Sequence, residues 1–135
     1  MLIRRVAECP EVDSPDGCYI RELLQPPREA AGLGFSLALA RLGPGERTHA
    51  HVLSHDEVYF LLEGSGRMHI GARSAALGPE DAVFIPRGEV QWIENTGTGE
   101  LRFLALVSPP WRPEIDRRVA ETKGDAAGDS SSREP

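Results

Sequence analysis

The sequence predicts an all-β fold, a sandwich or barrel built from many short strands. Three observations lead there. Apolar runs of five to nine residues recur through the first 107 positions, and several alternate with polar or small residues. Gly and Pro are abundant, at 14 and 11 of 135 residues, and they fall between those runs. No long stretch repeats its apolar residues at the helical period.

Taken in order, the runs are "CYIRELL" (18–24), "GFSLALARL" (34–42), "EVYFLLE" (57–63), "GRMHIG" (66–71), "DAVFIP" (81–86), "QWIEN" (91–95) and "LRFLALV" (101–107). In the second, Phe35, Leu37 and Leu39 fall on one face and Ser36, Ala38 and Ala40 on the other, the period of a strand. Turn-forming stretches separate the runs: "GPGE" (43–46), "EGSG" (63–66), "LGPED" (77–81), "PRGE" (86–89) and "NTGTGE" (95–100). Helix is expected only as one turn in "PPREAAG" (26–32) and a short element in "RPEIDRRVAETK" (112–123), where Pro113 suits a first turn. The last residues hold almost no apolar side chain. The reading is therefore one domain, 1–118, followed by a disordered tail, 119–135.

Charge narrows the function classes. The chain carries 21 acidic and 15 basic residues, a net charge of −6, with no basic patch interleaved with aromatics. Nucleic acid is not an expected partner. No apolar run nears the ~20 residues of a membrane-spanning helix, so no membrane partner is expected either. The start, "MLIRRVAECPEV", lacks the long apolar segment of a secretory leader, which points to the cytoplasm and to Cys9 and Cys18 as free thiols.

Three of the four histidines lie within seven positions, in "HAHVLSH" (49–55). His49 and His51 are two apart and share a face if the chain is extended. Glu57 opens the next apolar run. Two imidazoles and a carboxylate that can converge suit zinc, iron, manganese, nickel or copper. Read on spacing alone, the same residues also suit a polar loop leading into a buried strand.

The flanking residues carry a likeness. "GPGERTHAHVLSHDEVYFLLEG" sets Gly43, His49, His51, Glu57 and Gly64 in the order of the first cupin motif, with five residues between His51 and Glu57 where the family has three or four. "EDAVFIPRGEVQWIEN" sets Pro86, Gly88 and Asn95 in register with the second motif. Glu80 stands at that motif's first glycine, and Gln91 at its ligand histidine. Over residues 34–107 the chain thus resembles the cupins, small single-domain members in particular.

The resemblance implies a double-stranded β-helix, a jelly-roll-like barrel of two antiparallel sheets around an open-mouthed pocket. It implies a divalent metal ion (zinc, iron, manganese or nickel) held by His49, His51 and Glu57, with Gln91 as fourth ligand or substrate donor. His55, four residues after His51, is the rival to Glu57 for the third position; "SHDE" reads otherwise as a polar turn. It further implies a small polar metabolite as ligand and a homodimer, with segment 1–24 as a possible arm. Two functions remain in view: a metal-dependent enzyme of dioxygenase, isomerase, decarboxylase or lyase type, and a non-catalytic binding module or structural dimer, which Gln91 in place of His favours. Tyr59 and Phe103 are expected inside the barrel. Trp92, opposite in parity to Gln91, is expected outside the pocket. His69 reads as a surface residue, Cys18 as an idle thiol and Ser65 as part of a hairpin turn rather than a nucleophile.

Overall fold

The computed structural model describes residues 1–26 and 32–120. Eleven strands and two 3-10 turns form its regular structure, and no α-helix occurs among the described residues. The strands are β1 (Glu11–Asp13), β2 (Tyr19–Leu24), β3 (Ser36–Leu42), β4 (His51–Leu53), β5 (Asp56–Glu63), β6 (Gly66–Ile70), β7 (Arg73–Leu77), β8 (Ala82–Ile85), β9 (Val90–Asn95), β10 (Leu101–Ser108) and β11 (Asp116–Arg118). All seven expected runs are strands. They build a six-stranded sheet, β1-β2-β3-β10-β5-β8, and a five-stranded sheet, β11-β4-β9-β6-β7. Every pairing is antiparallel.

Alternation places the core between the sheets. On β5, Glu57, Tyr59 and Leu61 point in, while Phe60 and Leu62 are exposed. Leu42, Leu61, Met68, Ile85, Ile93, Leu101 and Phe103 fill one end of the barrel and are almost wholly buried. Each such side chain contributes ~1.5–3 kcal/mol relative to exposure. Leu53, Val107 and Ile115, with Trp111 against them, make a smaller cluster. Between the two clusters lie the polar inward residues, where the site forms.

Two elements differ from expectation. The segment read as a helix over 112–123 is a 3-10 turn, Pro113–Ile115, that runs into β11. Burying Ile115 against Leu53 and pairing Asp116 to Arg118 with β4 outweighs any local helical preference. His69 is not a surface residue: it is buried, stacks on Trp92 at 3.6 Å between ring centroids, and its Nε2 lies 2.8 Å from Glu94. The strands β1, β4, β7 and β11 carried no signal, being three to five residues long, with β1 fully exposed and β7 nearly so. The turn read over 26–32 and the tail beyond residue 120 fall outside the described residues.

Several motif positions serve the frame. Gly64 has φ +92°, and a Cβ there would run into the Glu100 carbonyl oxygen. The Asn95 amide donates to the Leu42 and Gly99 carbonyls (3.0 and 2.9 Å) and its oxygen accepts from Gly97 N–H (2.9 Å), closing the turn into β10. Gly88 N–H reaches the Leu53 carbonyl (2.8 Å) and ties the β8–β9 turn to β4.

Candidate functional site

An open-mouthed cleft enters the barrel between the sheets. Ile20, Leu53, Tyr59, Phe103, Val107 and Trp111 give it apolar walls. Its charged lining is one-sided: Asp16, Glu22, Glu57 and Asp116 against His51, with no Lys or Arg among the described residues that line it.

His51 and Gln91 are cross-strand partners on β4 and β9, and Glu57 faces them from β5 in the other sheet. His51 is 3% exposed. Its Nδ1 lies 3.1 Å from Asp116 Oδ1, and the other Asp116 oxygen accepts from the Trp111 indole N–H (3.0 Å). An ionised carboxylate only accepts, so His51 Nδ1–H donates to Asp116, and in the neutral ring Nε2 carries the lone pair. That Nε2 has no hydrogen-bond partner. Burial pulls the His51 pKa down, but the Asp116 bond and the charges of Asp16, Asp116 and Glu57 outweigh it and leave it above the ordinary value.

Glu57 is 6% exposed, and its Oε1 also lacks a partner. Burial drives its pKa up to about 8; His51 and a hydrogen bond from Gln91 pull the other way and lose. Gln91, 1% exposed, therefore holds Glu57 on one side while its oxygen accepts from the Tyr59 hydroxyl (3.3 Å). Tyr59 stays a neutral phenol because it is buried, and its ring packs on Phe103 at 4.5 Å.

Of the four expected donors, His51, Glu57 and Gln91 come together. His49 is not among the residues that line the cleft. Its ring lies against Gly17, where an added Cβ would stand 3.3 Å from it. His55 is also outside, with Nδ1 2.8 Å from the Pro109 carbonyl oxygen, as befits a turn residue. Trp92 sits on the outer face, carrying His69 on its ring and the Arg47 guanidinium at 3.7 Å. Cys18 is a buried thiol that donates to Asp16 Oδ1 (3.1 Å), and burial with the Asp16 charge raises its pKa.

Asp16 and Asp116 escape the sequence reading altogether. Both lie beyond the strands that carry the motifs, one in the β1–β2 turn and one at the start of β11. No local spacing marks them.

A divalent metal, which the likeness implies, can be tested against these donors. Among the described residues no three His, Cys, Asp or Glu side chains stand ready to enclose an ion. Two buried, unpartnered donor atoms nevertheless line one cleft, with an imidazole held in metal-binding tautomer by a carboxylate. Nitrogen and carboxylate oxygen suit the borderline divalent metals, so the chemistry of the set fits such an ion.

Comparison with known proteins agrees with the fold. Residues 38–107 match the cupin domain family. An uncharacterised protein of Methanocaldococcus jannaschii is 37% identical over 108 residues, 78% of this chain and 84% of its own length. The tetracenomycin polyketide synthase protein TcmJ of Streptomyces glaucescens is 36% identical over 102 residues, 73% of this chain and 67% of its own. The polyketide cyclase RemF of Streptomyces resistomycificus superposes with a TM-score of 0.75 at 24% identity, covering 98% of this chain and 95% of that one. With two antiparallel sheets folded around a cleft and a family match across that core, the chain belongs to the cupins.

Proposed function

We propose that this cupin holds one divalent metal ion in its cleft, with His51 and Glu57 as donors, and acts there on a small polar molecule. One observation carries the reading. His51 Nε2 and Glu57 Oε1 are buried without partners, in a lining that has, among the described residues, three further carboxylates and no lysine or arginine. Burying an unpaired carboxylate costs several kcal/mol, of the order of ~5, and a cation removes that cost. When bound, the ion supplies Lewis-acid polarisation of a substrate carbonyl or carboxylate oxygen. Asp116 orients His51, and Gln91, braced by Tyr59, orients Glu57. The walls from Leu53, Phe103 and Val107 offer the bound molecule an apolar surface.

The lining also bears on the substrate. Among the described residues the cleft lining offers an anionic ligand no lysine or arginine, so it depends on the ion for its counter-charge. A neutral keto or hydroxylated molecule with apolar surface meets walls that suit it. The likeness to TcmJ, a polyketide synthase protein, supports that second class.

Elemental analysis of protein purified without chelating resin tests the reading. One equivalent of a transition metal is expected in the wild type, and a large loss in His51→Ala. Wild type that holds no metal, even after incubation with zinc or manganese salts, overturns it. A non-catalytic binding module is the second reading, favoured by the Gln91 oxygen being engaged by Tyr59 rather than turned to the cleft. A ligand that raises the melting temperature of metal-free protein without being turned over supports that module.

A further inference from the structure

We infer that the outer face of the six-stranded sheet is where a second copy of this chain docks, the two copies packing sheet against sheet about a two-fold axis. The inference lies outside the cleft and does not depend on the proposed ion.

The face is apolar where a solvated antiparallel sheet is polar. On β3, β10, β5 and β8 the residues that point away from the cleft fall into two cross-strand rows. Leu39, Leu104, Phe60 and Ala82 make one, and Leu37, Leu106, Val58 and Phe84 the other, each residue opposite the next in register. No charged residue interrupts either row, and Leu62 extends the patch along β5. Phe60, Leu62 and Phe84 are 37%, 40% and 60% exposed, and Ala82 is exposed beside them. Apolar residues scattered singly over a surface are ordinary, but a contiguous patch marks an interaction surface.

Composition, charge and area name the occupant. The stretches outside the described residues, 27–31 and 121–135, contain no Val, Leu, Ile, Met, Phe, Tyr or Trp, so neither brings an apolar cover. A net charge of −6 sets copies of the chain against one another. The two rows are neutral, however, and the charges at their ends are paired within the chain. Arg41 holds Glu11 (2.6 Å) and Glu100 (3.1 Å), Arg102 holds Glu63 (3.4 Å), and Arg87 holds Asp56 (3.1 Å). A second copy therefore meets an apolar centre ringed by neutralised pairs, which is the anatomy of a protein interface. At ~4.8 Å between strands and ~3.4 Å per residue, the six strands present roughly 600 Å² of flat face. Side-chain relief brings that toward the ~800 Å² per partner of a stable interface.

The experiment is sedimentation velocity over a wide range of concentration, with circular dichroism to verify folding. It compares wild type, Phe60→Glu combined with Phe84→Glu, and Leu2→Glu combined with Ile3→Glu in the exposed N-terminal segment. Wild type is expected to sediment as a dimer. The carboxylates introduced on the sheet enter the interface twice, once from each copy, and should weaken the dimer by at least about a hundredfold. Leu2→Glu combined with Ile3→Glu is expected to remain dimeric, because the N-terminal segment is not the interface. Wild type that sediments as a monomer overturns the assignment. So does a dimer that survives the substitutions on the sheet, or one that the N-terminal substitutions break. If the doubly substituted sheet fails to fold, Leu62→Lys takes its place. It is expected to weaken the dimer by at least about tenfold, and a dimer it leaves unchanged overturns the assignment.

Discussion

Glu57 is a carboxyl walled off from water on β5, and its proton makes the metal-free protein sensitive to pH. Its ordinary pKa is 4.5, and burial raises it to about 8. Between those values the folded chain keeps a proton that the unfolded chain has released, so stability falls as pH rises. His51 acts in the same direction. Its pKa lies above the ordinary 6.5, so its contribution is full below 6.5 and fades as pH climbs through the folded value. The melting temperature of metal-free protein should therefore drop between pH 4.5 and about 8. Glu57→Gln should flatten that slope and stabilise the metal-free protein at the alkaline end by roughly a few kcal/mol. A melting temperature that rises with pH over this range would contradict the assignment.

At the scale of elements, legibility followed alternation. β5 and β10 come nearest to burying one face and were plain in the sequence, β3 and β9 were legible as longer apolar runs although they bury residues on both faces, and β4 is three residues, all buried, without alternation to see. The turns were legible for a different reason: each needs a backbone shape that few residues adopt. The turn before β8 shows the cost of departing from that rule. Glu80 stands at φ +72° where the family motif has glycine, and its N–H is held by the Leu61 carbonyl (2.8 Å). A non-glycine residue there costs ~1–2 kcal/mol, partly offset by the greater freedom glycine has when unfolded. Glu80→Gly should accordingly raise stability by roughly 0.5–1 kcal/mol, read by chemical denaturation. A clear loss of stability would show that the Glu80 side chain contributes more than its backbone strain costs.

Across the whole molecule, the sequence disclosed the two motifs but not the company they keep. His51, Glu57 and Gln91 lie within 41 positions and were found by spacing. Asp116 meets His51 across 65 residues, and Asp16 reaches it from the other direction, so only folding brings the acids together. His49 shows the converse. Its two-residue spacing from His51 promised a shared face, but β4 starts at His51, and the preceding backbone bonds to the N-terminal loop instead of continuing the strand.

The indole bond to Asp116 has an optical consequence. The chain has two tryptophans, Trp92 and Trp111. Trp111 lines the cleft and donates to the carboxylate that steadies His51, so its excited state senses any charge arriving at Nε2. Trp92 lies on the outer face, under an arginine and a stacked imidazole, where the cleft does not reach. Zinc added to metal-stripped protein should therefore change the intrinsic emission of wild type and of Trp92→Phe alike, and leave Trp111→Phe silent. A response that survives in Trp111→Phe would place the ion elsewhere. The barrel thus carries its own fluorescent gauge, one bond removed from the group it reports on.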